Sequence, residues 1–126
     1  MCGIAGIMYR GAEQSFDMGE ALIQMLDGCQ HRGPDSTGFA LYGAAQSGQL
    51  KLRFFLDKEQ DTEGIIQTIR GRLSEPGAVI KEEAQVGDNY RVTVAYGDDV
   101  QKLAYEMEHA AKVVSIGSSL EIVKDV

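Results

Sequence analysis

The chain has 126 residues, 44% hydrophobic and 25% charged, a composition typical of a soluble globular protein large enough to form its own core. Its 19 acidic residues exceed its 12 basic ones and leave a net charge of −7. That balance argues against binding nucleic acid through phosphates, which depends on lysine and arginine. No apolar run approaches the ~20 residues of a membrane-spanning helix, and no signal peptide is recognisable. We therefore expect a cytoplasmic protein without membrane or nucleic-acid partners.

The first third of the chain predicts a strand, a helix and a second strand. Residues 3–9 suit a buried strand, since isoleucine and methionine alternate there with small residues. Asp17 can cap a helix over 18–29. One face of that helix would be apolar and would bury Cys29. The strand 38–42 follows, joined to a strand 50–56 across a polar, glycine-containing turn.

The rest of the chain predicts the order β-α-β-β-α-β between residues 50 and 117. The strands are predicted at 50–56, 78–86, 90–96 and 113–116, with helices starting at Asp61 or Thr62 and at Asp98 or Asp99. This order is that of a ferredoxin-like unit. Residues 120–126 predict a further strand, which would need more partners than the first unit supplies.

Cys2 is the candidate nucleophile. Removal of Met1 would leave its thiol and a free α-amine on one carbon, and an amine with a pKa near ~8 can take up a proton at neutral pH. Gly3 would leave room for a substrate beside the backbone. The alternative is that Cys2 packs as a small apolar residue. His31 and His109 are too far apart in the sequence to indicate a zinc site, and we expect neither a metal nor a cofactor.

Two segments carry a family resemblance. Met-Cys-Gly-Ile-Ala-Gly at residues 1–6 and His-Arg-Gly-Pro-Asp-Ser-Thr-Gly at residues 31–38 together resemble the N-terminal glutaminase domain of class II glutamine amidotransferases, which are N-terminal-nucleophile hydrolases. The later part looks most like the stand-alone amidotransferase subunits associated with glutamate synthase and N-methylglutamate synthase. The implied fold class is α+β. It comprises a glutaminase segment at 1–48, a ferredoxin-like insertion at 49–118 and a returning glutaminase strand at 119–126.

The resemblance implies hydrolysis of L-glutamine to glutamate and ammonia, which would pass to a synthase subunit. Cys2 would form a γ-glutamyl thioester, without a cofactor. In such enzymes the second motif lies beside the nucleophile loop. Arg32 and Gly33 would thus hold Cys2 and Gly3 in place, while Asp35 and Ser36 would shape the turn.

The family's substrate-carboxylate arginine segment and its oxyanion-hole Asn-Gly pair are absent from this chain, whose single asparagine is Asn89. We therefore expect it to be the N-terminal piece of a longer glutaminase, or one that needs an obligate partner. Two other interpretations stay open. One is a non-catalytic regulatory or partner-binding module built on the ferredoxin-like unit. The other is a structural subunit that pairs through an exposed sheet edge.

Overall fold

The computed structural model describes residues 3–11, 17–32 and 36–125, the last three of these by backbone alone. Its helices are α1 (Met18–Gly28), α2 (Thr62–Ser74) and α3 (Val100–Ala110). Its strands are β1 (Thr37–Tyr42), β2 (Gln49–Phe55), β3 (Val79–Val86), β4 (Asn89–Ala95), β5 (Lys112–Gly117) and β6 (Leu120–Asp125). A 3-10 turn, Gln30–Arg32, follows α1. The architecture is mixed α+β, as predicted.

The chain forms two units, Met1–Thr37 with Asp125–Val126 and Gly38–Lys124. The second unit contains the predicted β-α-β-β-α-β order, from β2 to β5. Its antiparallel four-stranded sheet has the strand order β3-β4-β2-β5. Helices α2 and α3 lie on one face of this sheet, where alternate residues of β2 and β4 are buried against them.

The core of the second unit follows from strand alternation and helical spacing. It is formed by side chains with 7% exposure or less: Leu50, Leu52, Phe54, Leu56, Ile66, Ile69, Leu73, Ala78, Tyr90, Val92, Val94, Leu103 and Met107. The sheet residues among them recur every second position, and the helical ones every three to four. The strands predicted at 50–56 and 90–96 and the helix predicted to start at Asp61 or Thr62 are thereby confirmed.

Each helix begins directly after an aspartate whose carboxylate accepts backbone N–H groups of the first turn. Asp17 accepts from Gly19 and Glu20 at 2.8 and 3.1 Å. Asp61 and Asp99 cap α2 and α3 in the same way. The cap of α1 is thus confirmed, and the structure selects Asp61 over Thr62 and Asp99 over Asp98, because only the residue before the helix can reach these amides.

Strands β1 and β2 are neighbours in the sequence but do not pair with each other. β2 lies between β4 and β5, so both of its edges are already paired within the larger sheet. β1 pairs instead with β6 in a separate two-stranded sheet. The predicted strand at 120–126 is therefore confirmed as β6, which pairs with β1 from the other end of the sequence.

The expectation of a buried strand at 3–9 is wrong. These residues have no regular secondary structure, and Ile4 and Met8 are 96% and 86% exposed. Ala5, Ile7 and Tyr9 are half-buried, so exposure still alternates along the segment. An apolar alternating segment becomes a strand only where another strand completes its hydrogen bonds, and the described residues supply none here.

Helix α1 also differs from expectation in the extent of its burial. The predicted apolar face exists, but its residues are only half-buried, and none of the helix is fully buried. Cys29, which directly follows α1, is likewise half-buried rather than enclosed. The described part of the first unit offers no second apolar layer to cover this face.

Candidate functional site

The two motif segments of the first unit meet at Gly3. A Cβ atom placed on Gly3 would lie 3.2 Å from the Cβ of Cys29 and 3.4 Å from the Cβ of Arg32. It would also lie 3.6 Å from the Cys29 sulfur. The bare backbone of Gly3 therefore contacts the end of α1 and the turn behind it, and a larger side chain would force one of these neighbours to move.

The backbone on the other side of this contact is a tight turn. The amide of Arg32 donates to the Cys29 carbonyl at 2.9 Å, and the amide of Cys29 donates to the Leu26 carbonyl at 3.0 Å. These bonds carry the chain from α1 into the Gln30–Arg32 turn and bring Arg32 to Gly3. Within the second motif, His31 and Ser36 are exposed.

Three predicted site residues, Cys2, Gly33 and Asp35, lie outside the described residues. Gly3, Arg32 and Ser36 lie within them, and the structure brings Gly3 and Arg32 together. The roles assigned to all six residues remain predictions. Among the described residues, no group of three or more His, Cys, Asp or Glu side chains could hold a metal ion.

The second feature is a cluster of charged side chains on the sheet face opposite the helices of the second unit. Glu121 of β6 contacts Lys51 Nζ at 3.1 Å and Arg53 Nη2 at 3.0 Å, and Arg91 Nη1 lies 3.9 Å away. The amide of Ile122 donates to the Ser115 hydroxyl at 3.2 Å, so β6 runs along this face. Burial would raise the pKa of Glu121, but hydrogen bonds from Lys51 and Arg53 outweigh it and lower that pKa below 4.5.

Sequence reasoning missed this cluster, although part of the signal was present. Lys51 and Arg53 alternate with buried leucines along β2, which places both cations on one face of the strand. The position of Glu121 had no such signal, because it depends on how β6 returns across the sheet.

A third cluster lies on the helix-covered face. Arg70 donates two hydrogen bonds to Glu83, at 3.0 and 2.8 Å, and Tyr90 donates a third at 2.6 Å. Burial, together with the hydrogen bond to Glu83, raises the pKa of Tyr90 to about 12. These bonds tie α2 to β3 and β4 and leave no free group for catalysis, so we interpret the cluster as structural.

The second unit also has an open groove of about 250 Å³ between α2 and α3. Arg72, Tyr96, Lys102 and Glu106 are among its lining residues, and Arg72 pairs with Glu106 at 3.5 Å. Its cations and carboxylates are present in similar number, so the lining favours no ligand of one charge.

In the described part of the chain, no helix has the length and apolar character needed to cross a membrane.

Comparison with known proteins points to one functional class. No family model matches the chain. It is 28% identical to a candidate glutamine amidotransferase of Methanothermobacter thermautotrophicus and 30% identical to the glutamine amidotransferase-like protein GlxB of Rhizobium meliloti. Both alignments cover 100% of this chain but only 43% and 41% of the relatives, so it spans less than half of their length. This similarity supports a relationship to glutamine amidotransferases.

The similar solved structures are more distant. A chain from the complex of the CheA P2 domain with CheY of Thermotoga maritima has a TM-score of 0.49 at 13% identity, covering 60% of this chain and 98% of its own. A regulatory domain of aspartate kinase from Porphyromonas gingivalis has a TM-score of 0.49 at 7% identity, covering 69% and 59%. At these TM-scores neither carries an argument about function.

Proposed function

We propose that this chain supplies the nucleophile and its supporting loop to a class II glutamine amidotransferase. The observation that carries the proposal is the contact of Gly3 with Arg32, because it joins the two segments on which the family resemblance rests. The similarity of this whole chain to less than half of two relatives, one named as a glutamine amidotransferase and one as glutamine amidotransferase-like, supports it independently. On this proposal residues 1–48 and 119–126 belong to the glutaminase domain, and 49–118 form the ferredoxin-like insertion.

The proposed chemistry uses Cys2 after removal of Met1. The free α-amine takes the thiol proton, and the sulfur attacks the γ-carbonyl carbon of L-glutamine. The carbon–nitrogen bond then breaks, the amine returns the proton to the leaving nitrogen, and ammonia departs. Water hydrolyses the remaining thioester and releases glutamate. With Met1 in place, the α-nitrogen of Cys2 is an amide and cannot accept the proton.

The supporting residues act by position. Arg32 and Gly33 hold the loop that bears Cys2, while Asp35 and Ser36 shape the turn that leads into β1. Residues that bind the substrate carboxylate and stabilise the oxyanion are proposed to come from further polypeptide, since the relatives are more than twice as long. Without an oxyanion hole the rate should fall by about 10²–10³. The ammonia would be passed to a synthase subunit.

Alkylation by an electrophilic glutamine analogue tests the proposal, and Cys29 serves as an internal control. We expect peptide mass spectrometry to find Cys2 modified before Cys29 when Met1 is absent, because only Cys2 has an adjacent amine. Cys2→Ser should abolish the fast modification, and Cys29→Ser should leave it unchanged. A sample that retains Met1 should lose the preference for Cys2.

Equal reactivity of the two cysteines in the Met1-free chain would contradict the proposal. With the further polypeptide that is proposed to bind the substrate also present, modification of Cys2 that iodoacetamide reproduces at the same relative rate would contradict the proposal too, because the glutamine moiety would then contribute nothing.

The second candidate function is a non-catalytic binding module. It is favoured by one observation, namely that the fully buried core lies within the ferredoxin-like unit, while the described part of α1 has no buried residue. On this interpretation Cys2 is vestigial, and the alkylation experiment separates the two functions.

A further inference from the structure

The sheet face opposite the helices carries more positive than negative charge. Arg53 and Arg91 are direct cross-strand partners on β2 and β4, and Lys51 lies two residues from Arg53 on the same face. Like charges placed opposite each other repel unless a counter-ion lies between them. Glu121 is the carboxylate that contacts all three cations, which leaves a local surplus of two positive charges.

No other described carboxylate removes this surplus. Glu82 of β3 lies on the same face, opposite Thr93, but it makes no ion pair with Arg91 within 4 Å. The surplus is notable because the whole chain carries a net charge of −7. Three of its 12 lysine and arginine side chains nevertheless lie around one carboxylate.

The two guanidinium groups also retain unused hydrogen-bond donors. Arg53 has a side chain only 12% exposed, yet its Nε atom is buried without a partner in the described structure. Arg91 is 45% exposed, and its contact with Glu121, at 3.9 Å, is longer than a hydrogen bond. A buried donor without a partner costs free energy, so this cluster is not fully satisfied within the described structure. Arg91, whose side chain is exposed, is the guanidinium that an acceptor from solvent can reach.

We propose that Arg53 and Arg91 form a binding site for a dianionic oxyanion, either a phosphate group or a short dicarboxylate. Guanidinium groups bind planar or tetrahedral oxyanions through paired N–H donors, and two negative charges match the local surplus. Lys51 adds charge to the site, and Glu121 holds Lys51 and Arg53 in place. The proposal is independent of the amidotransferase chemistry, because none of its residues belongs to the Cys2 site.

Side-chain NMR of the 126-residue chain tests the site directly. Inorganic phosphate and succinate are titrated separately at constant ionic strength, with the arginine Nε–Hε signals as the readout. We expect saturable shifts of the Arg53 and Arg91 signals in at least one titration. The ligand that binds more tightly identifies the class. Arg91→Ala should weaken that binding by about tenfold or more, since it removes charge-assisted hydrogen bonds.

Arg72→Ala is the matched control. Arg72 is 44% exposed and pairs with the single carboxylate of Glu106, so it resembles Arg91 in exposure but lies in a cluster without surplus charge. Its removal should leave the affinity unchanged. Arg91→Lys keeps the charge without the planar fork and should also weaken binding; wild-type affinity in this variant would overturn the role of the guanidinium group.

Shifts that fail to saturate with both ligands would overturn the proposal, as would equal losses in Arg91→Ala and Arg72→Ala. The cluster would then be a structural ion-pair network alone. Amide spectra of each variant show whether the fold is retained, and the Arg53 signal reports on the site even where Arg91 is replaced.

Discussion

Glu121 illustrates how much one side chain can contribute when it is partly buried among cations. It is 17% exposed, and the two side chains that it contacts most closely, Lys51 and Arg53, are 24% and 12% exposed. Solvent screening is therefore weaker than at the surface. Its removal would leave two partly buried cations without a counter-ion and would expose Arg53 and Arg91 to each other's charge.

We expect Glu121→Gln to lower the free energy of unfolding by about 1–3 kcal/mol at neutral pH, because partly buried cations lose their counter-ion. Folding lowers the pKa of Glu121, so its contribution is fully present above the ordinary value of 4.5 and is lost as the pH falls through the lowered value. Urea unfolding of wild type and variant should therefore differ at neutral pH and converge as the pH falls through the lowered pKa of Glu121.

Glu106→Gln is the comparison for this prediction. Glu106 and its partner Arg72 are 40% and 44% exposed, at 3.5 Å, so its loss should cost less than about 0.5 kcal/mol. Equal effects of the two substitutions would show that partial burial of Glu121 adds nothing.

At the level of elements, the helix starts are set by local chemistry. The carboxylate of Asp99 accepts from the amides of Gln101 and Lys102 at 3.0 and 3.2 Å. Such bonds satisfy donors that have no partner within the helix. The same arrangement at all three helices explains why their beginnings could be predicted within one or two residues.

We expect Asp99→Ala to destabilise the protein by about 1 kcal/mol through the loss of this cap. Asp99→Asn keeps an acceptor oxygen and should cost much less. Thermal or urea unfolding of both variants checks the prediction, and an equal loss in the two would indicate that the negative charge, not the hydrogen bond, is what matters.

Strand partners could be predicted less well than strand positions. The sequence predicted strands at the positions of both β2 and β4. It could not show that β2 lies between β4 and β5, or that β1 pairs with β6. Residues 3–9 show the same alternation without forming a strand, because pairing depends on what lies beside the segment rather than on its own sequence.

Across the whole chain, burial is uneven. The side chains of the core come from residues 50–107, whereas α1 has no fully buried residue. Segments with few buried apolar contacts open at lower free energy than the core around them.

We therefore expect amide hydrogen exchange to be much faster in α1 than in α2, although both helices have an aspartate cap. Exchange measured by mass spectrometry on peptides from 18–28 and 62–74 checks this. Equal protection of the two helices would mean that α1 is covered by contacts that its described burial does not reveal.

The sequence alone determined the helix caps, the apolar faces, the β-α-β-β-α-β order and the two motifs that suggest glutaminase chemistry, since each depends on neighbouring residues and their spacing. Only the tertiary structure decided that β1 joins β6, that Gly3 lies against Arg32, and that Glu121 meets Lys51 and Arg53. These contacts link residues that are at least 29 positions apart in the sequence. No local pattern specifies which distant segment completes a sheet edge or neutralises a charge.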